Sequence, residues 1–240
     1  MDGKKVYEKL KKKVQSFSPF VKSWNSAKSL FAPKLDDALK EALILANLKL
    51  ALKIFVFAAL IATFISVLTL LESMYLTNFT TDTLAQVTGT IIPKITIAEF
   101  WPVAMLQIII NLPLALAVSF FCECVAYSIA KATGGTGTFA RQFHLAAIIS
   151  LSLTMVGLLV LLMPVPCIQI LAWVAMIIGM IYLWVYVTGK SYSLVHGISF
   201  PHALVIAIVI VIIRSIVTIL MMNFIAGLMN LPPIVNFGGG

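Results

Sequence analysis

Two ionisable side chains, Glu123 and Arg214, stand inside otherwise apolar runs. Insertion scales put the cost of such a group in hydrocarbon at about 3 kcal/mol, so each must face the bundle interior and find a partner. The simplest chemistry is mutual: Glu123 and Arg214 pair across two helices, and the long arginine side chain makes up any difference in depth. A proton or ion path is the functional alternative. It needs a polar stripe, whereas Gln107 and Asn111 add only two amides to the helix of Glu123, and amides at such positions commonly join helices.

The other reactive side chains are scattered. His144, His196 and His202 fall near one end of the apolar segments, with Cys122 and Cys124 within a few turns. No two of them have CxxC or HxxxH spacing, so no metal ligand set is expected. Residues two apart on a helix point about 200° away from each other, so Cys122 and Cys124 cannot pair. With Cys167 they read as buried apolar thiols. No Ser/His/Asp set, paired carboxylates or HExxH run lies where water reaches it. The chain is therefore expected to be no enzyme, with no catalytic residue and no cofactor.

The stretch from Lys131 to His144 is the most distinctive polar segment. Gly134, Gly135 and Gly137 within four residues leave the backbone too free to hold a helix. Phe139 opens the next helix, and Thr138 stands at its capping position. A phosphate-binding P-loop is not expected, because no lysine follows Gly137 and a membrane helix precedes the loop. Two readings stay open: a backbone nest that binds an anion such as a lipid phosphate, helped by Arg141, or a tight turn packed on the Gly197 link.

These residues must be positioned by membrane helices. Of 240 residues, 61% are hydrophobic and 11% charged, against about 25% charged in soluble domains. The expected fold is all-α, a polytopic bundle of five transmembrane helices over roughly 42–71, 100–130, 140–163, 167–188 and 203–229. Each is long enough to cross the bilayer core. A helix starting at Pro33, with Asp36 and Asp37 in its early turns, is expected to run unbroken into the first span. Residues 72–99 are expected to form the longest loop, with Asn78-Phe79-Thr80 as a glycosylation sequon. Pro113 is expected to kink the second helix. Pro164 and Pro166 mark a tight turn, and Gly189 to His202 a short polar link.

Residues 1–53 carry twelve lysines against five acids. From Lys4 to Phe17 apolar residues recur at helical spacing, with Lys5, Lys9, Lys11, Lys12 and Lys13 around them. This predicts a basic amphipathic helix over the arm, 1–35, lying on an anionic leaflet; a solvated tail that only sets topology is the alternative. Phe20, Trp24 and Phe31 follow at interfacial spacing. No cleavable signal is expected, so the first span acts as its own insertion signal. The distribution of Lys and Arg places the N-terminus in the cytoplasm, the Gly134 loop and Gly189–His202 link on the same side, and the C-terminus outside.

Gly134-Gly135-Thr136-Gly137-Thr138-Phe139 after the second helix, Pro164 and Pro166 between the third and fourth, and His196-Gly197-Ile198-Ser199 before the fifth together resemble the Yip1 domain family of five-helix membrane proteins, over roughly 36–230. The archaeal or bacterial members carry similar paired runs. Eukaryotic members bind Rab-class small GTPases and curvature proteins in vesicle trafficking. This chain lacks the Asp-Leu-Tyr-Gly-Pro-like run before the first helix, and its arm is basic. The resemblance thus implies a non-enzymatic protein that organises the membrane or recruits partners at the cytoplasmic face, with a small transporter or channel subunit as the alternative. The partners implied are anionic lipid headgroups, proteins at the cytoplasmic face or a second copy of the chain, and not nucleic acid.

Overall fold

The computed structural model describes residues 21–88, 94–162 and 166–228. The lysines from Lys5 to Lys13 and Pro164 lie outside the described residues. Among the described residues there are helices and no strands. A helical stretch over 21–29 precedes α1 (Leu35–Ile44), α2 (Leu48–Thr88), α3 (Ile97–Ala132), α4 (Phe139–Gly157), α5 (Pro166–Ile181), α6 (Thr188–His196) and α7 (Phe200–Leu228). A 3₁₀ turn, Leu158–Leu162, extends α4, and a π-helical turn, Tyr182–Val187, joins α5 to α6. Five of these rods are long and apolar enough to cross a membrane: Leu48–Val87, Phe100–Ala132, Phe139–Leu162, Ile168–His196 and Phe200–Phe224. The chain is an all-α, multi-pass membrane protein.

Several boundaries differ from expectation, each for a local reason. The Pro33 helix does not run on into the first span: α1 ends at Ile44 and α2 starts at Leu48. Asn47 makes the break, its side-chain oxygen accepting the Lys49 N–H at 2.8 Å while its carbonyl accepts from Ala51. Residues 72–88 are helix rather than loop. Neither Gly nor Pro interrupts them, and the hydroxyls of Ser73, Thr80 and Thr83 bond back to carbonyls four residues earlier, so the polar side chains do not compete for the helix. The expected Gly189–His202 link is mostly α6. Thr188 donates to the Leu183 carbonyl five residues back at 2.9 Å, which suits the wide turn that carries the helix through. Pro102 and Pro113 both sit within the continuous α3, and Pro166 opens α5, where its missing N–H is harmless.

At 41 residues, α2 is about 60 Å long, roughly twice the hydrocarbon thickness. Its distal half pairs with the start of α3 as a polar-tipped hairpin. Asn78 clasps the backbone of Ile95 there, donating to its carbonyl and accepting from its N–H, both at 2.9 Å. Lys94 pairs with Asp82 at 2.7 Å. The sequon asparagine is thus on a helix with both amide atoms engaged. Asn78→Ala is expected to loosen this tip by about 1–2 kcal/mol, read as faster hydrogen exchange at Ile95 with the α4 core unchanged.

The core lies at the opposite end, where α2 packs most extensively on α4. Ala51, Ala58 and Ala147 are buried at the contact, and Phe55 meets Phe143 at 4.8 Å between ring centroids. Small residues are what lipid-embedded helices need, because close packing rather than water release holds them together. Residues 21–44, ahead of the first span, pack into this core. Ala27, Leu30, Leu39 and Ala42 are buried in it. Ser152 donates to the Ala27 carbonyl and Tyr182 to that of Leu30, each at 2.9 Å. Ser152 lies thirteen residues beyond Phe139, about 20 Å along α4, so the 21–44 segment wedges deep along the bundle. Trp24 packs against the core, while Phe31 stays half-exposed beside Tyr182.

Candidate functional site

The Gly134 loop and the turn after α6 meet at one end of the bundle. The loop closes α3 through two hydrogen bonds, Gly135 N–H to Ala130 O at 2.8 Å and Gly134 N–H to Lys131 O at 3.1 Å, with Gly134 at φ +90°. This is a Schellman closure with glycine in the left-handed position. Gly197, at φ +67°, closes α6 by donating to Ser193 O at 2.9 Å. The Thr136 N–H then donates to the last carbonyl of α6, His196 O, at 3.0 Å. A side chain on Gly135 would meet Ala130 O at 2.6 Å and the His196 Cβ at 2.9 Å; one on Gly137 would run into the Val195 carbonyl. Thr138 occupies the position before α4 without a side-chain capping bond. Phe139 stacks on Phe143 and meets Tyr127 edge-on. In the second motif, Ile198 packs on the α3–α7 core and Ser199 bonds the His202 ring at 2.6 Å.

Beneath this lid runs a buried polar chain. His196 Nε2 is 2.8 Å from Gln142 Oε1, and Gln142 Nε2 donates to the Glu123 carboxylate at 2.8 Å and to the Glu123 carbonyl at 2.9 Å. The Tyr192 hydroxyl donates to both carboxylate oxygens, at 3.1 and 3.3 Å, and Arg214 Nη2 lies 3.6 Å from Glu123 Oε1. Glu123, Gln142, Tyr192 and His196 are each at most 2% exposed. Four helices contribute: α3, α4, α6 and α7. Tyr192 and His196 are i,i+4 on α6 and share a face. Glu123 sits nine residues, about 14 Å, from the end of α3, and Arg214 fourteen residues, about 21 Å, from the start of α7. The guanidinium covers the difference by extending along the bundle.

The structure thus brings Glu123 and Arg214 together. It also joins the two motif turns to that pair through Gln142 and Tyr192, which reading the sequence passed over. His144 is fully buried on the far side of α4, against the backbone of Ala42, and takes no part. His202 is exposed and bonded to Ser199. Among the described residues no three His, Cys, Asp or Glu side chains converge on a metal position. Lys190 pairs with Asp36 at 3.5 Å, tying α6 to α1. Tyr192→Phe removes one buried donor to a carboxylate and is expected to cost about 1.5 kcal/mol, read as a lower midpoint in reversible unfolding from bicelles.

Comparison with family models, with curated proteins and with solved structures finds no match.

Two cavities adjoin the polar chain. A small one, about 20 Å³, is bordered by Glu123, Trp184, Thr188, Ser191, Tyr192 and Arg214; it has room for one water. A larger one, about 600 Å³, lies between α2, α3 and α4 and is also bordered by Trp184 of the π-helical turn and by Arg214.

Proposed function

We propose that this chain is a non-enzymatic, multi-pass membrane protein of Yip1 type, which presents a rigid cytoplasmic face to organise the bilayer or to recruit partners. The N-terminus is cytoplasmic and the C-terminus outside. The observation that carries this reading is the enclosure of Glu123: both carboxylate oxygens and the backbone carbonyl are taken by Gln142, Tyr192 and Arg214. An acid held in this way is a fastener between helices. It offers no open base to a substrate and no free site to a passing ion. It lies directly under the two hydrogen-bonded turns, so it stiffens the face on which Lys131, Thr133, Thr136 and Arg141 are exposed.

Purified protein in proteoliposomes is expected to pass no solute with saturable kinetics. A photo-crosslinker at Thr133 in native membranes is expected to capture a defined partner set. Robust, saturable flux overturns the reading in favour of a small transporter, the alternative that the 600 Å³ cavity beside Arg214 favours. A chain lacking residues 1–20 separates the arm's roles: an unchanged partner set makes the arm a topology determinant alone.

A further inference from the structure

We propose that the pocket between the 21–29 helix and the end of α1 binds the headgroup of a zwitterionic phospholipid, with its phosphate at Lys22 and its ammonium at Glu41. The pocket has a volume of about 360 Å³, with Lys22, Asn25 and Ser29 on one wall and Glu41, Ile44 and Leu45 on the other. That volume falls within the roughly 300–1,000 Å³ usual for small-molecule sites. Lys22 and Glu41 are exposed, and neither has an ion-pair partner among the described residues. A cation and an anion bordering one pocket favour a ligand that carries both charges. A purely anionic headgroup meets Glu41 as a like charge, and a purely cationic one meets Lys22. Asn25 adds an amide that can donate to phosphate oxygens, and exposed Ile44 gives an apolar rim where acyl chains begin.

Depth makes the ligand a lipid. Ser152 donates to the Ala27 carbonyl and Tyr182 to that of Leu30, which sets the 21–29 helix about 20 Å along the bundle from the start of α4. Exposed Asn25, Lys28 and Lys34 are carried down with it. Elsewhere around the bundle α7 exposes Val205, Ile208 and Ile212, and Val205 lies only about 8 Å from the start of α7. The starts of α4 and α7 are at the same end, where the Thr136 N–H joins the two turns through His196 O. A flat bilayer surface cannot suit both flanks, because it would put either the polar group in hydrocarbon or the apolar one in water. Lys28 can reach some way back to the headgroups, whereas Asn25 beside it is too short to. Headgroups therefore dip by about 12 Å beside residues 21–44, and the pocket lies where they dip.

The test is native mass spectrometry of the full chain in detergent, which counts retained lipids. The probes are dioleoylphosphatidylethanolamine, dioleoylphosphatidylglycerol, dioleoylglycerol and free phosphoethanolamine. One copy of the phosphatidylethanolamine is expected to be retained, at least about tenfold tighter than the anionic lipid or the diglyceride, and not displaced by the free headgroup. Glu41→Gln is expected to turn the preference toward the anionic lipid. Lys22→Glu is expected to lose the retained copy, and Lys22→Glu with Glu41→Lys to regain it. Equal or tighter binding of the anionic lipid by the original chain overturns the proposal. Equal binding of the diglyceride means acyl chains only, displacement by phosphoethanolamine means a soluble zwitterion, and either result overturns it. A retained lipid indifferent to both single substitutions sits elsewhere and overturns it too. In nanodiscs, Asn25→Cys is expected to react with a membrane-impermeant maleimide above the background of the original chain, and Val205→Cys is not; equal or reversed labelling overturns the dip. Should a variant misfold, the four probes on the original chain still decide. The site requires the folded bundle alone, so neither the partner set nor the flux measured above bears on it.

Discussion

Glu123→Leu is expected to destabilise the bundle by about 3–5 kcal/mol, the range seen when one member of a buried ion pair is removed and the other is left unpaired. The cost falls on more than the pair. Gln142 Nε2 loses its carboxylate acceptor, the Tyr192 hydroxyl loses its acceptor, and the Arg214 guanidinium is left without its counter-charge. Glu123→Gln is expected to cost less, because an amide oxygen still accepts from Gln142 and Tyr192. Equilibrium unfolding in bicelles, followed by tryptophan fluorescence and by protection of the α4 amides, measures both. The reversed pair, Glu123→Arg with Arg214→Glu, should be tolerated better than either single reversal. If it is not, the coupling of Glu123 and Arg214 is wrong.

The second large effect is expected at Gly137. A methyl group there strikes the backbone carbonyl of Val195 and its Cγ1, and neither α6 nor the loop yields without breaking the Thr136 N–H to His196 O bond. Overpacking against a fixed backbone costs about 1–3 kcal/mol, and Gly137→Ala should stand at the upper end. Gly134→Ala is the comparison. Nothing lies within 4 Å of a Cβ there, so only the strain of the left-handed φ remains, about 1 kcal/mol. Hydrogen exchange at Thr136 should rise sharply in Gly137→Ala and modestly in Gly134→Ala.

How far the chain could be read before its structure depends on what each residue reports. Five spans were legible because apolar length is a one-dimensional property, and the Gly134 turn was legible because a glycine cluster ends a helix; the Gly197 turn, with one glycine, was read as part of a longer link. The pairing of Glu123 with Arg214 followed from the cost of burying each. Gln142 and Tyr192 were not legible as partners. Gln142 stands three residues into a helix next to a polar loop, where an amide ordinarily meets water, and Tyr192 was assigned to a link. Reading Gly189–His196 as helix would have put Tyr192 and His196 on one face and pointed inward. The wedge of residues 21–44 was not legible. The basic arm, 1–35, was expected to lie on an anionic leaflet, whereas Ala27, Leu30 and Leu39 are buried in the bundle. Amphipathic spacing alone cannot say whether such a face meets lipid or protein. The α2–α3 hairpin was missed because its threonines resemble a loop in composition, while their hydroxyls bond within the helix.

One substitution separates a fastener from a working acid. Replacing both Glu123 and Arg214 by methionine removes the charge pair and keeps comparable volume, a change that buried ion pairs often accept without loss of stability. The measurement is the partner set crosslinked from Thr133 in native membranes, taken alongside the unfolding midpoint. With a carboxylate that serves only to hold α3, α4, α6 and α7 together, the double variant folds more stably than either single one and captures the same partners. A double variant that folds at the original midpoint yet loses its partners, or loses a saturable flux that the original protein supports, contradicts the account.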